Sequence, residues 1–166
     1  MTAAIEGDFV VFRLGMRVNS LWQVHRWVPV ITAVSRMIAE LEDDEDSGLL
    51  GYDTRLGIRN HESVQYWRSF EDLREYALDP ESRHAPVMGP TNEQMAESAA
   101  VGIWHETYLV REGEYETVSI NTPRVGLEQA GSLVPATDSR RTAAGRLEVT
   151  PGSDVEPEGE QGTEVN

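Results

Sequence analysis

The first half of the chain begins with a segment in which apolar side chains recur at every second position. This segment, residues 8–19 (DFVVFRLGMRVN), has the period of two that is typical of a β-strand. The opposite face of the strand carries Arg13 and Arg17, so the pattern predicts a strand with two chemically different faces. The residues of its more apolar face are Val10, Phe12, Leu14, Met16 and Val18.

Apolar residues then recur at helical spacing along residues 20–42, which predicts a first helix. Pro29 conflicts with a continuous helix because proline has no backbone N–H to donate. We therefore expect a short turn over residues 20–27 and a second helical piece that starts at Pro29.

Two short segments, residues 49–57 and 62–70, are separated by a turn-like IRNH sequence and predict a β-hairpin. Residues 69–79 follow with acidic residues in the first turn, and they predict a second helix with Ser69 as its N-cap. Residues 100–110, AVGIWHETYLV, predict a fourth strand.

The order of these elements predicts an α+β protein with the ferredoxin-like β-α-β-β-α-β arrangement and an antiparallel sheet. Residues 113–123 are expected to add a fifth strand. We expect residues 8–130 to form one domain, between a flexible N-terminus (residues 1–7) and a disordered acidic tail (residues 131–166). Helices cover one face of such a sheet, so the other face is expected to pack on a second copy and form a dimeric α/β barrel.

The charge balance narrows the possible partners. The chain has 29 acidic and 14 basic residues, and all the basic residues are arginine. This acidity favours a halophilic protein, since salt screens the repulsion; an acidic protein from a GC-rich genome is the alternative. A net charge of −15 disfavours nucleic acid as a partner. Without cysteine, a signal-peptide pattern or a long apolar run, the chain is expected to be cytoplasmic and to have no membrane partner.

Two of the four histidines are candidates for chemistry. His105 lies within the predicted fourth strand, where an imidazole is either a hydrogen-bonded core residue or a general acid–base. His84 follows the second helix and is either an exposed loop residue or a ligand. Arg13 and Arg17 could hold an anionic group or form surface ion pairs. The motifs that mark dinucleotide, P-loop, hydrolase and zinc sites are missing from the sequence.

Several segments carry a resemblance to a known family. They are DFVVFRLGMRVNSLWQVHRWVPV, SGLLGYDTRLG, VQYWRSFEDLREYA, GIWHETYLV and YETVSINTPRVGL. Together they resemble an uncharacterised monooxygenase-like family, a domain of unknown function in the dimeric α/β-barrel superfamily. The resemblance covers about residues 8–130 and implies an enzyme that acts on a small molecule. Residues 121–124 read NTPR where that family usually has NMPP, which implies a different pocket wall there.

The YWRS strand–helix, the histidine after it and the HE strand also resemble the haem-containing (phenylacet)aldoxime dehydratases more distantly. This second resemblance implies that haem is the cofactor, with His84 as the ligand of the iron and His105 as the catalytic acid–base on the open side. The other residues to which it gives a place around the haem are Arg13, Arg17, Trp104 and Tyr108. Two alternatives stay open: a cofactor-free monooxygenase with His105 as the base, and a non-enzymatic small-molecule-binding or structural dimer.

Overall fold

A four-stranded antiparallel sheet forms the centre of the protein. The computed structural model describes residues 1–44, 46–79 and 99–147. The strands and helices are β1 (Thr2–Ala4), β2 (Phe9–Val18), α1 (Val24–Asp43), β3 (Leu49–Leu56), β4 (Asn60–Trp67), α2 (Phe70–Leu78), β5 (Val101–Val110), β6 (Ser132–Val134) and a final short helix α3 (Ala143–Arg146). Two short 3-10 helices, Gly126–Gln129 and Asp138–Arg141, complete the described elements.

The strand order of the central sheet is β3-β4-β2-β5, and all neighbours are antiparallel. The two helices connect β2 to β3 and β4 to β5, so the predicted α+β, ferredoxin-like β-α-β-β-α-β fold is confirmed. Within the described residues the sheet stays open, and a single chain forms no closed barrel. The register places Leu14 between Ser63 on β4 and His105 on β5.

Helices α1 and α2 cover the face of the sheet that carries the more apolar side of β2, including Leu14. Two clusters of buried side chains join the layers, one at each end of this face. One cluster consists of Met16, Val18, Val30, Ala100 and Val101. The other consists of Val10, Leu41, Trp67 and Leu73.

Helix α1 differs from the expectation at Pro29. The helix begins at Val24 and continues through Pro29 to Asp43, so the predicted break is wrong. Proline removes only one hydrogen bond near the start of this 20-residue helix. Val30, Ile38 and Leu41 are buried beyond it, and their packing keeps the helix continuous.

The two ends of the described chain form a second, two-stranded sheet that the sequence did not predict. β1 pairs antiparallel with β6, and Thr2 lies opposite Val134. Part of the N-terminus that we expected to be flexible is therefore a strand. Residues 113–123 contain no strand in the structure, contrary to the expected fifth strand. Residues 131–147 of the predicted tail are described and include β6, whereas residues 148–166 lie outside the described residues. The expected division into domains therefore stays a prediction.

The described chain after β5, residues 111–147, is called here the C-terminal segment. It covers one end of the face of the central sheet that the helices leave open. Tyr115 packs edge-to-face on Phe9, with ring centroids 5.2 Å apart. A side chain at Gly51 would meet the Gln129 carbonyl oxygen at 2.6 Å, so glycine is needed for this close approach of the backbone. Burial raises the pKa of Tyr66 on the same face. The protein thus covers part of a surface that we expected to be free for a partner.

The predicted N-cap of α2 is confirmed. The Ser69 hydroxyl accepts the backbone N–H of Asp72 at 3.1 Å, and Arg68 donates to the Asp72 carboxylate at 2.8 Å. The hydrogen bond from Arg68 and those from Ser69 hold the pKa of Asp72 below its ordinary value. The first turn of α2, which leads into the site described below, is therefore fixed by its own side chains.

We expect Ser69→Ala to lower the free energy of unfolding by about 1 kcal/mol, because the N–H of Asp72 loses its acceptor. Urea unfolding followed by circular dichroism measures the change. Ser35→Ala is the matched control, because the Ser35 hydroxyl only donates to a carbonyl within α1. An equal loss in both variants would contradict the role of the cap.

Candidate functional site

A cavity of about 440 Å³ lies between the helix-covered face of the sheet and the two helices. A volume of this size is typical of a pocket for a small organic ligand. β2, β4 and β5 form its floor, and α1 and α2 form its walls. The residues that give it an apolar character include Phe12, Leu14, Val34, Met37, Trp67 and Ile103.

His105 presents its ring to this cavity from β5. The imidazole lies 5.7 Å from the Phe12 ring, measured between centroids, and the residue is exposed. The sequence also allowed a buried, hydrogen-bonded core histidine at this position, and the structure does not show one. Across the part of the chain that the structure describes, no hydrogen bond to this ring is present, so both nitrogens can face a ligand.

The inner end of the cavity is rigid. Trp67 is fully buried, with 0% of its surface exposed, and its ring lies 5.9 Å from that of Tyr76 on α2. The Trp67 indole N–H donates to the Gln65 side-chain oxygen at 3.0 Å. This hydrogen bond fixes the amide of Gln65, which also lines the cavity, and places a polar group at a defined position on the floor.

A smaller cavity of about 40 Å³ lies on the other side of Leu14. It is lined by Ser63 and His61 of β4, and it shares Leu14 and Val34 with the larger cavity. The Ser63 hydroxyl and the His61 Nδ1 are buried with no hydrogen-bond partner in the structure. Leu14 therefore separates the larger chamber from a small, mainly apolar recess that holds these two unpartnered polar atoms.

The opposite face of the sheet carries a different set of side chains. Arg13 of β2 forms ion pairs with Glu62 and Glu106, both at 2.6 Å, and the hydrogen bond to Glu62 raises the pKa of Arg13. The Tyr108 hydroxyl donates to Glu106 at 2.8 Å. The guanidinium also lies 5.3 Å from the centre of the Trp104 ring, a distance at which a cation is attracted to an aromatic face.

Trp104 lies flat over the backbone of β2. A Cβ atom at Gly15 would approach the Trp104 ring to 2.0 Å, so a side chain at position 15 is incompatible with this arrangement. Trp104 is nevertheless 40% exposed on its outer side. We name the surface formed by Arg13, Glu62, Trp104, Glu106 and Tyr108 the open-face cluster.

The structure separates the residues that the haem resemblance places around one ligand. Arg13, Trp104 and Tyr108 belong to the open-face cluster, while His105 faces the cavity on the other side of the sheet. Arg17 also lies on the open face and donates to the Asn60 side chain at 3.0 Å. Neighbouring residues of a strand point to opposite faces of the sheet. The expectation that these residues share one pocket wall with His105 is therefore corrected.

His84, the predicted iron ligand, lies outside the described residues. The cavity walls themselves fit a flat apolar cofactor, because they combine aromatic and aliphatic side chains with the imidazole of His105. Arg13 and Arg17, which the resemblance places around the haem, do not fit this role, because both lie on the other face of the sheet. Among the described residues, Arg74 of α2 is the arginine that lines the cavity.

Sequence reasoning missed Arg74, Gln65 and Trp67 as site residues. Gln65 carried no clear signal, because the face of β4 that it shares with His61 and Ser63 is largely polar in sequence. Arg74 carries no such signal either, since an arginine on a short helix is ordinary. In the described portion, no group of three or more acidic, histidine or cysteine side chains is arranged to hold a metal ion. No helix among these residues is both long and apolar enough to span a membrane.

Comparisons with known proteins point to one family. The model of the family described as Monooxygenase af470-like matches residues 9–127. No curated protein shows a significant match.

Two solved structures from Bacteroides are distantly similar in fold. One, from Bacteroides thetaiotaomicron VPI-5482, is a conserved protein of unknown function and a possible oxidoreductase; it is 17% identical, with 61% of this chain and 97% of that chain covered and a TM-score of 0.46. The other, from Bacteroides fragilis NCTC 9343, is a dimeric protein of unknown function with a ferredoxin-like fold; it is 15% identical, with 60% and 94% covered and a TM-score of 0.42.

Proposed function

Because the chain belongs to the Monooxygenase af470-like family, we propose that it is a monooxygenase-like enzyme that oxidises an apolar small molecule beside His105. The observation that carries the proposal is the imidazole of His105, which faces a 440 Å³ apolar cavity. Such a cavity binds an apolar substrate by removing it from water, and a single imidazole on its floor can move a proton. Two candidate reactions follow from this site, and the first requires no cofactor, only the protein, its substrate and molecular oxygen.

In the first candidate, His105 accepts the hydroxyl proton of an electron-rich, phenol-like substrate. The resulting anion passes electrons to molecular oxygen, and a new carbon–oxygen bond forms at the ring carbon opposite the hydroxyl group. The oxygen–oxygen bond then breaks. One oxygen atom stays as the second carbonyl of a quinone, and the other leaves as water with the hydroxyl proton and the proton of the ring carbon. His105 returns its proton to that leaving oxygen.

This candidate is tested with α-naphthol and isotopically heavy oxygen gas. We expect naphthoquinone that carries one heavy oxygen atom per molecule, formed at a rate proportional to the protein concentration. The rate must persist after exhaustive treatment with a metal chelator. Absence of labelled quinone with α-naphthol and with larger naphthol derivatives would reject the cofactor-free reaction.

A second candidate is a haem enzyme of the aldoxime dehydratase kind, which we propose because the apolar walls and His105 fit a flat cofactor. Bound haem would supply the iron that activates a substrate nitrogen or oxygen atom. His105 would transfer a proton at the open side, and the apolar walls would exclude water. The resemblance to the aldoxime dehydratases implies that His84 would hold the iron.

We expect haemin to give a shifted, stoichiometric Soret band if this second candidate holds. His84→Ala should abolish the band or change its position, because the iron loses its axial ligand. His105→Ala should retain the band and alter cyanide binding to the iron. If the wild-type protein takes up no haemin, or if both variants bind haemin as the wild type does, the haem candidate is rejected.

We further propose that a second copy of the chain covers the open-face cluster. Trp104 and Tyr108 are large and exposed there, although the C-terminal segment covers the neighbouring end of the same face. Aromatic residues are enriched in the buried centres of protein interfaces. A homodimer through this face would leave the His105 cavity of each copy on the outside of the paired sheets.

We expect sedimentation to show a dimer that is tighter in about 1 M salt than in about 0.01 M salt, because screening lengths are roughly 3 and 30 Å in these conditions. The cause is the charge of −15 that each copy carries. A monomer at both salt concentrations would remove the dimer from the proposal.

The location of the interface has its own control. Trp104→Ala is expected to weaken the dimer by about 30-fold, the effect of a central aromatic residue. Trp22→Ala should leave the dimer unchanged, because Trp22 is 95% exposed and is not part of the open-face cluster. Equal effects of the two substitutions would place the interface elsewhere.

A further inference from the structure

The described lining of the cavity beside His105 differs in charge from the rest of this acidic protein. The chain carries 29 acidic residues, yet none of the described residues that line this cavity is acidic. Its one permanently charged lining residue in the described chain is Arg74 of α2. Acidic residues outnumber basic ones about two to one in the chain, so an arginine without a carboxylate among the described lining residues points to a role for its charge.

Arg74 lies at the rim of the cavity, in the middle of an apolar stripe. Phe70 and Leu78 lie one turn before and one turn after it on the same face of α2, and all three line the cavity. Phe70 is 45% exposed and Leu78 is 67% exposed. Large apolar side chains that remain exposed around a pocket are typical of a surface that a ligand covers.

The guanidinium of Arg74 is available for a ligand. Arg68, just before α2, is held by Asp72 at 2.8 Å, and Arg13 is held by two glutamates. Arg74, in contrast, forms no ion pair or hydrogen bond within the part of the chain that the structure describes. A free guanidinium offers a fork of N–H donors that matches the two oxygens of a carboxylate.

We propose that the substrate of this site is an apolar molecule with one anionic group, and that Arg74 binds this group at the cavity rim. The proposal rests on the proposed function, since it concerns the ligand of the same cavity. The apolar body of the molecule fills the chamber between Phe12 and Met37, while its carboxylate or similar group stays at the rim. Arg74 thereby selects acids over neutral molecules of the same shape, and it orients the far end of the substrate toward His105.

The test uses two fluorescent probes with the same aromatic skeleton. Phenylnaphthylamine is neutral, and anilinonaphthalenesulfonate carries one added negative charge. We expect both to bind the wild-type protein with one site per chain, and the anionic probe to bind more tightly. Arg74→Gln should weaken the anionic probe by about three- to tenfold, the loss expected for a partly exposed charge-assisted hydrogen bond. The neutral probe should bind this variant as it binds the wild type.

Arg36→Gln is the matched control, because it removes the same charge from α1 at a position that does not line the cavity. It should change neither probe. Equal binding of the two probes, or equal effects of the two substitutions on the anionic probe, overturns the role of Arg74 and leaves the proposed function standing. Failure of both probes to bind the wild-type protein counts against the cavity itself and therefore against the proposed function.

Discussion

Replacement of His105 by phenylalanine is expected to lower the rate of α-naphthol oxidation by about 10²–10⁴-fold, the range that a positioned acid–base group contributes. Phenylalanine retains a flat ring against Phe12 and keeps the cavity wall closed, but it can neither accept nor donate a proton. The stability of the protein should change little, because His105 is exposed and forms no hydrogen bond within the described residues. Steady-state rates and urea unfolding of the same preparation separate these two effects.

His25→Phe is the control for this substitution. His25 lies exposed near the start of α1 and does not line the cavity, so the rate should equal that of the wild type. A glutamine at position 105 can form hydrogen bonds but is a poor base, so His105→Gln should be as slow as His105→Phe. If His105→Gln retains the full rate, the side chain at position 105 only forms a hydrogen bond to the substrate, and proton transfer occurs elsewhere.

Trp67→Ala is expected to lower the free energy of unfolding by about 3–5 kcal/mol, the cost of a large-to-small change at a fully buried aromatic residue. Trp67 is 0% exposed and joins β4 to both helices through Leu41 and Leu73. The substitution also leaves the side-chain oxygen of Gln65 without its donor. Urea unfolding followed by circular dichroism measures the loss, and binding of the neutral probe should weaken as the cavity floor collapses.

Trp22→Ala serves again as the comparison, because removal of an exposed indole changes stability by only about 0.5 kcal/mol. Trp67→Phe should fall between the two, since it keeps an aromatic ring in the core. A loss below about 1 kcal/mol for Trp67→Ala would mean that the two helices are not held to the sheet at this point.

The sequence predicted the central sheet and both helices because each has a strong local pattern. The alternation along residues 8–19 and the cap at Ser69 depend only on neighbouring residues, and both are confirmed. Pro29 misled the prediction because the packing of Val30 and Leu41 outweighs one lost hydrogen bond. β1 and β6 escaped it because two three-residue strands, more than 120 positions apart, have no local signal.

Prediction of the site was less complete for a similar reason. The sequence singled out His105 within a strand, but it could not show that this residue faces a cavity between the sheet and the helices. Trp104 and Tyr108 were grouped with His105 because they are close in sequence, although alternation in a strand separates them. Arg74 gained significance only from its position beside the cavity, where none of the described lining residues is acidic. Such information arises when distant elements pack together.

The two faces of β5 have different surroundings, and this difference has a practical consequence for protein engineering. Positions 103, 105 and 107 contact the chamber, whereas positions 104, 106 and 108 belong to the opposite surface. A mutant library confined to positions 103 and 107, with His105 retained, should therefore diversify ligand preference without disturbing self-association. A library at the even positions should do the reverse. One ten-residue strand would then serve as two independent design surfaces, which can be optimised in separate rounds of selection and recombined.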